Sequence, residues 1–153
     1  LTGSLKDVMK ESVKVAKTVA WNLLTIEQQQ NIIDTYKDVG LHIHFPDGAT
    51  DKDGPSAGTA ITCAIYSILT NRPIKNNIAI TGEIDLDGNV TIIGGLDGKL
   101  TGAKNAGVVL ALAPVDNQRD IDIIKRKNTH LVDDSFSVVT VSHINQVLDL
   151  IFE

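Results

Sequence analysis

The chain has 153 residues, of which 42% are hydrophobic and 22% charged, and its formal net charge is −5. This length and composition predict one globular domain with a real core, and an acidic chain without a basic tract argues against nucleic acid as a partner. A single cysteine excludes an internal disulfide framework and fits a reducing compartment. No apolar run has the length of a membrane span and no signal peptide is visible, so we expect the cytoplasm or an organelle matrix rather than secretion or a membrane.

The N-terminal part is predicted to be mainly helical. Residues 1–5 have the pattern of a strand end, and Ser4 with Asp7 predicts a capping box at the start of a helix. Apolar residues recur at helical spacing from Val8 to Leu23 with lysines on the opposite face, which predicts an amphipathic helix of about four to five turns. The polar residues 25–40 predict a short helix followed by a loop.

Two histidines lie in the next predicted strand. Leu41, Ile43 and Phe45 alternate with His42 and His44, which predicts a strand with both imidazoles on one face. A zinc site needs at least a third ligand, and no cysteine or histidine pattern supplies one. The sequence therefore favours partly exposed histidines over a metal site.

Ser56 lies in a segment that predicts a sharp turn before a helix. Two glycines and a proline surround it in residues 51–58, and the uncharged run 59–69 predicts a helix that is buried on all sides, with Cys63 as inert packing. The N-terminus of such a helix presents free N–H groups and a positive dipole end, which stabilise an oxyanion or a phosphate. Taken alone, this local pattern favours a capping role for Ser56 over a catalytic one.

The second half of the chain alternates strands and helices. The predicted elements are a strand at 74–84, a hairpin turn at 85–89, a return strand at 90–93, a helix from 96 to 106 that ends at Gly107, a buried parallel-type strand at 108–113, a helix at 117–127, a strand at 137–141 and a helix at 143–152. The predicted class is therefore α/β or mixed α+β. We expect one compact domain over residues 1–153, with helices packed on small parallel or mixed sheets around the buried helix that follows Ser56.

Lys99 is the second candidate for chemistry, because a serine nucleophile needs a base. On the helix predicted from Leu96, Lys99 lies at the edge of the inward sector and in the first turn, where a cation is unfavourable. Burial and the helix dipole both disfavour an ammonium and are therefore expected to lower the pKa of Lys99. A neutral lysine can accept the serine proton. Neither His42 nor His44 comes with an obvious orienting carboxylate, and Lys104, near the end of the same helix, is expected to serve structure only.

Several separate motifs resemble the proteolytic domain of soluble, ATP-dependent Lon proteases. They are His-Ile-His-Phe-Pro-Asp-Gly-Ala at 42–49, Asp-Gly-Pro-Ser-Ala-Gly at 53–58, Thr-Gly-Glu-Ile at 81–84 and Ile-Gly-Gly-Leu-Asp-Gly-Lys-Leu at 93–100. They occur in the family's order, and the resemblance covers nearly the whole chain. It implies a serine endopeptidase with a Ser–Lys dyad, in which Ser56 is the nucleophile and Lys99 the base, and it reverses the local preference for a capping serine.

The resemblance also implies supporting residues: Thr81, Asp53, Gly54, Pro55, His42 and His44. Thr81 aligns with the threonine that hydrogen-bonds the catalytic lysine. Asp53 aligns with the acidic residue that can occupy the site in inactive forms. The backbone N–H of Ser56, with a neighbouring loop amide, is inferred to form the oxyanion hole.

Substrates, partners and cofactors follow from the same resemblance. It implies unfolded proteins or peptides as substrates, a role in protein quality control and a homo-oligomer, in this family a hexameric ring. No cofactor is expected in this domain, whereas ATP and Mg²⁺ are expected for the full-length enzyme. The one Gly-Lys pair, Gly98-Lys99, does not fit a G-x-x-x-x-G-K-[ST] loop, because Leu100 follows it and Ile93 stands where the first glycine belongs.

The first residue is not methionine and the chain opens in a predicted strand, so we expect a fragment. The missing parts would be the ATPase and substrate-binding regions and the first strands of the domain. Two other functions stay open. One is a catalytically silent relative that forms a ring or docks a partner, against which the presence of both Ser56 and Lys99 argues. The other is a small-molecule kinase-like domain, which would use the glycine- and serine-containing loop to bind a nucleotide.

Overall fold

Six α-helices and five short β-strands make up the fold, which a computed structural model describes for residues 1–152. The helices are α1 (Asp7–Asn22), α2 (Ile26–Thr35), α3 (Gly58–Thr70), α4 (Leu96–Asn105), α5 (Gln118–Lys127) and α6 (Ile144–Ile151). The strands are β1 (Ile78–Ile80), β2 (Glu83–Ile84), β3 (Val90–Thr91), β4 (Leu110–Pro114) and β5 (Ser137–Val141), and a 3₁₀ turn at Val115–Asn117 precedes α5. No helix of the described chain is both long and apolar enough to cross a bilayer.

The strands form two small sheets. β4 lies at the centre of a parallel sheet of order β1-β4-β5, with Ala111 opposite Ala79 in β1 and opposite Val138 in β5. β2 and β3 form an antiparallel hairpin, in which Ile84 pairs with Val90. Parallel strands need crossover connections, and here α4 and α5 supply them. The predicted mixed α/β class is confirmed.

The central strand separates two cores because its side chains alternate between the faces of the sheet. Leu112 packs with Cys63 of α3 and Val147 of α6 on one face. Ala111 and Ala113 pack on the other face with residues of α4 and α5, including Leu100 and Ile121. Each fully buried leucine or isoleucine contributes about 1.5–3 kcal/mol by leaving water, so this double burial explains why β4 contains no polar residue.

A third core joins α1 to α3. Met9, Val13, Ala16 and Ala20 of α1 contact Ile61 and Ile65 of α3. These residues of α1 recur at the predicted helical spacing, and the amphipathic α1 is confirmed. α3, however, is not buried on all sides as predicted. Ala64 and Ile68 are exposed, and Ile68 retains 67% of its accessible surface.

The start of α1 also differs from the prediction. Its N-cap residue is Lys6, which makes no capping hydrogen bond, and Ser4 has a left-handed backbone with φ +56°. The predicted Ser4–Asp7 capping box is therefore wrong. The Asp53 carboxylate, 44 residues away in sequence, instead accepts a hydrogen bond from the Met9 N–H at 3.3 Å. A side chain outside the helix thus takes the place of the local cap.

Two predicted strands reduce to isolated bridges. Residues 1–5 and 41–45 run parallel, but only Thr2 and His44 form a bridge between them, with hydrogen bonds from the Thr2 N–H to the Ile43 carbonyl and from the Phe45 N–H to the Thr2 carbonyl. The strand predicted at 74–84 begins only at Ile78 and is interrupted by Thr81 and Gly82, which separate β1 from β2. The later elements lie within two residues of their predicted bounds, and β5 matches them.

Candidate active site

Ser56 lies in a turn immediately before α3, and the interruption between β1 and β2 holds this turn in place. The Gly82 N–H donates to the Ser56 carbonyl at 2.9 Å, and the Thr59 N–H donates back to the Gly82 carbonyl at 3.1 Å. The Thr59 hydroxyl adds a bond to the same Gly82 carbonyl at 3.0 Å. We call these three bonds the Gly82 clamp. The strand is interrupted here because the Gly82 backbone binds the serine turn instead of a neighbouring strand, whereas the preceding Thr81 N–H still donates to the Leu112 carbonyl of β4 at 3.0 Å.

Only glycine fits at position 82. A Cβ there would lie 2.5 Å from Val90 Cγ1 and 2.9 Å from Thr59 Oγ1, closer than side chains approach one another. Neither Gly82 nor Thr59 was among the predicted site residues. A glycine inside a strand pattern is nevertheless a recognised signal for a close backbone approach, and this signal could have found Gly82.

Ser56 is not the helix cap that its local pattern favoured. Ala57 occupies the N-cap position of α3. Among the described residues, neither the Ser56 hydroxyl nor the Ser56 N–H has a hydrogen-bond partner, whereas the Ser56 carbonyl is bound by Gly82. The turn therefore leaves available the hydroxyl and the N–H that an acyl-transfer site would use.

Ser56, Thr81 and Lys99 line one pocket of about 270 Å³. It lies where β1 ends, at the carboxyl edge of the parallel strand, which is the usual place for sites in open α/β sheets. The rest of its lining is apolar and consists of Ala57, Ala79, Ile80, Leu100, Ala103, Ala111 and Leu112. Thr81 and Lys99, which follow Ser56 by 25 and 43 positions in the sequence, thus meet it in one cavity.

Lys99 lies in the first turn of α4 as predicted, but the prediction that it is buried is wrong. Its side chain is exposed, and Nζ donates to the Gly94 carbonyl at 2.7 Å. Lys99 and Ser56 form no hydrogen bond with each other in the described chain. The unfavourable placement of a cation at a helix N-terminus remains, because Gly95 is the N-cap residue.

Two supporting residues contact partners other than the expected ones. The Thr81 hydroxyl donates to the Ser56 carbonyl at 3.4 Å rather than to Lys99. Asp53 is exposed and bound to the N-terminus of α1, outside the pocket of Ser56. Gly54 has φ +103°, and the Pro55 carbonyl accepts a weak hydrogen bond from the Ser12 hydroxyl at 3.5 Å.

His42 and His44 are exposed, as the strand pattern predicted, and they meet at one hydroxyl. Thr2 Oγ1 lies 3.0 Å from His42 Nε2 and 2.7 Å from His44 Nδ1. Both imidazoles line a groove of about 420 Å³ along the exposed face of α3, which shares Ala57 with the pocket of Ser56. They lie beside the candidate site rather than in it. Residues 1–152 contain no group of three or more potential metal ligands.

The expectation for Cys63 is confirmed. The side chain is fully buried, and this burial raises the pKa of the thiol to about 12. The thiolate, which is the nucleophilic form of cysteine, is therefore absent near neutral pH. Cys63 lies on the buried face of α3, the helix that Ser56 precedes.

Asn117 supports the site from a distance, and no sequence signal identified it. Its buried side chain donates to the Ile93 carbonyl at 2.9 Å and accepts from the Ile93 N–H at 3.1 Å, as a strand partner would. This pair of bonds fixes the chain just before Gly94 and Gly95, where α4 begins. Asn117 therefore positions the helix turn that carries Lys99.

Comparison with known proteins gives one family. Residues 1–153 match the family model described as the Lon protease (S16) C-terminal proteolytic domain. The chain is 43% identical over 148 residues to the Lon protease homolog of Acanthamoeba polyphaga mimivirus, which is 97% of this chain and 14% of that protein. It is 50% identical over 125 residues to the Lon protease of Fusobacterium nucleatum, which is 81% of this chain and 16% of that protein.

The similarity extends to eukaryotes. The mitochondrial Lon protease homolog of Drosophila melanogaster is 43% identical over 122 residues, which is 80% of this chain and 12% of that protein. The chain thus spans less than a fifth of the length of the curated relatives that it matches.

Proposed function

The chain belongs to the Lon protease C-terminal proteolytic domain family, and from this premise we propose that it is a serine endopeptidase domain with a Ser56–Lys99 dyad. One observation supports the proposal most: Ser56 and Lys99 line the same pocket, and the Ser56 hydroxyl and N–H are both free of other partners. Ser56 supplies the nucleophile and Lys99 the base, and Thr81 positions the serine turn through the Ser56 carbonyl.

The proposed reaction is acyl transfer in two steps. Lys99, as a neutral amine, takes the hydroxyl proton while Ser56 Oγ forms a bond to the scissile carbonyl carbon. The Ser56 N–H stabilises the resulting oxyanion, and the peptide C–N bond then breaks as Lys99 returns the proton to the leaving amine. Water hydrolyses the acyl-enzyme by the same route in reverse. Lys99 must first leave the Gly94 carbonyl, which its long and exposed side chain allows.

The proposal extends to the whole protein. Residues 1–153 would be the proteolytic part of a longer ATP-dependent protease, with ATP and Mg²⁺ used outside this domain. The substrates would be unfolded proteins or peptides, and the domain would self-associate, as a hexameric ring if it follows the family. An intracellular location would suit these roles, and the mitochondrial designation of the Drosophila relative agrees with it.

A second candidate is a catalytically silent module that only forms a ring or docks a partner. One observation favours it: the Lys99 amine donates to the Gly94 carbonyl and not to the Ser56 hydroxyl. No corresponding observation favours a kinase-like function.

A serine-reactive fluorophosphonate probe, combined with a fluorogenic peptide assay, tests the proposal. The wild-type chain should be labelled once and should cleave the peptide, whereas Ser56→Ala should remain folded, escape labelling and lose at least about 10³-fold in kcat/KM. Ser137→Ala, which removes an exposed serine hydroxyl of β5, is the matched control and should behave like wild type. Labelling or cleavage that survives in folded Ser56→Ala would refute the dyad, and an unlabelled, inactive wild type would support the silent module.

A further inference from the structure

A groove of about 550 Å³ lies between α1 and the β2–β3 hairpin, on the outer side of the serine turn. Its α1 wall is a helical stripe of Val8, Glu11, Ser12 and Val15, spaced as one face of a helix requires. Its other wall runs from Glu83 through the hairpin turn to Thr91, and Pro55 closes it at the side of Ser56. We call this cleft the acidic groove.

The groove combines an apolar surface with unpaired negative charge. Leu86 and Val8 retain 61% and 45% of their accessible surface, more than side chains of a packed core do. Four carboxylates line it, those of Glu11, Glu83, Asp85 and Asp87, and no lysine, arginine or histidine does. Within residues 1–152 none of the four forms an ion pair. Like charges gathered in a cleft repel one another and attract a cationic partner.

A basic surface, opposite in charge to the acidic groove, lies elsewhere on the same chain. The last turn of α5 presents Lys125, Arg126 and Lys127, all exposed and all without a carboxylate partner in the described chain. Half-buried Ile123 lies one turn before them. No residue of α5 lines the acidic groove, so the two surfaces of one molecule do not meet.

We propose that the acidic groove binds the C-terminal turn of α5 from a second copy of this chain. The inference rests on the self-association proposed above and adds the surfaces that carry it. Two different surfaces meet in such a contact, so it is head-to-tail and generates either a closed ring or an open filament, not an isologous dimer. Pro55 lies both in the groove and next to Ser56, so a docked neighbour would abut the loop that carries the nucleophile.

Charge reversal tests the pairing directly. The groove variant carries Glu83→Lys and Asp87→Lys and leaves Asp85 in place, because the Asp85 carboxylate accepts the Asp87 and Asn89 N–H bonds that hold the hairpin turn. The helix variant carries Lys125→Glu and Lys127→Glu. Because Glu11 and Asp85 are retained, the groove variant has no net charge in the groove to attract a basic α5, and the helix variant makes the end of α5 net negative against an acidic groove. Each variant alone should therefore self-associate at least about tenfold more weakly than wild type in sedimentation velocity.

Mixing the groove variant with the helix variant is the second part of the test. The groove variant still has a basic α5 and the helix variant still has an acidic groove, so each pair of unlike copies can form one wild-type contact and should associate as a heterodimer. Equimolar mixing should restore association, and wild-type association should weaken as ionic strength rises from about 0.05 to about 0.5 M. Asp34→Lys with Asp38→Lys, two exposed carboxylates in and after α2, changes the net charge as the groove variant does and should leave association unchanged.

Several outcomes would overturn the inference. Reversed variants that associate like wild type, a mixture that stays dissociated, or a control pair as weak as the groove variant would each exclude this interface while leaving self-association itself intact. If wild type is monomeric throughout and a labelled lysine- and arginine-rich peptide binds the groove, the occupant is a foreign basic segment. Peptide cleavage, measured separately, reports on the dyad and does not depend on these results.

Discussion

Among single residues, Lys99 has the proposed role that a pH profile tests most directly. It is exposed and lies in the first turn of α4, so the helix dipole rather than burial opposes its positive charge. An exposed lysine amine loses its proton only in alkaline solution, whereas an imidazole does so near neutrality. If Lys99 is the base, kcat/KM should therefore keep rising through mildly alkaline pH on a peptide that does not titrate there.

Substitutions at three residues distinguish a lysine base from a histidine base. Lys99→Arg should be as inactive as Lys99→Ala, because a guanidinium keeps its proton throughout the accessible range. His42→Ala and His44→Ala remove imidazoles that contact Thr2 outside the Ser56 pocket, so each should retain the alkaline rise even if activity falls. An active Lys99→Arg, together with a rise near neutrality that disappears in either histidine variant, would assign the base to histidine.

At the scale of elements, the Gly82 clamp joins the sheet to the serine turn. Gly82→Ala should lower the free energy of unfolding by about 1–3 kcal/mol, because its Cβ would meet Val90 and Thr59 at contact distances that require a backbone shift. The shift moves the Ser56 carbonyl that Gly82 binds, so kcat should fall more than KM rises. Urea unfolding and steady-state kinetics on the same samples measure both effects.

Gly48→Ala is the matched control for this substitution. Position 48 has open space where a Cβ would be added and no left-handed backbone, so stability and activity should stay close to wild type. If Gly82→Ala is as stable and as active as Gly48→Ala, the clamp does not position the serine turn.

Elements whose determinants are local were predictable from the sequence. β5 and α5 are examples, since alternation and helical periodicity within each segment specify which side chains face the core. The start of α1 was not predictable, because its cap is supplied by Asp53, 44 residues away. The same limit applies to the site. The motifs indicated Ser56, Thr81 and Lys99, but the exposure of Lys99 depends on how α4 lies against the sheet, and no local pattern encodes that.

At the scale of the whole molecule, one ion pair links stability to pH. Lys104 donates to the carbonyls of His130 and Leu131 at 2.6 and 2.9 Å and to the Asp133 carboxylate at 2.5 Å, which attaches α4 to the loop before β5. The hydrogen bond from Lys104, followed by those from Ser135, holds the pKa of Asp133 well below its ordinary value of 3.8. The folded state therefore gains stability from ionised Asp133 above that value and loses it as the pH falls below it.

Lys104→Met should reduce this acid dependence. The variant should lose stability relative to wild type at neutral pH, and the difference should shrink as the pH falls from about 5 to about 2. The pKa of Asp85 is lowered chiefly by the side-chain hydrogen bond from Asn89, and Asp85 should contribute equally to the acid dependence of stability in both proteins. Lys125→Met removes an exposed lysine without a carboxylate partner and should leave the pH profile of Tm unchanged. A Lys104→Met deficit that is constant across the range would show that the ion pair does not govern the profile.

The size of the Ser56 pocket limits which substrates this chain should cleave by itself. The pocket at Ser56 has about 270 Å³, enough for one or two side chains of an extended peptide and far too little for a folded domain. Folded domains expose such segments rarely, because they are stable by about 5–15 kcal/mol. The 153 residues contain no G-x-x-x-x-G-K-[ST] phosphate loop that could couple ATP to unfolding.

The chain should therefore cleave unstructured peptides without ATP, and its rate on a stable protein should rise only when a core substitution in that protein raises the unfolded population. Comparing a stable substrate with its destabilised variant, each with and without ATP, measures this. Faster cleavage of the stable substrate on addition of ATP would show that this chain couples nucleotide to unfolding and would contradict the prediction.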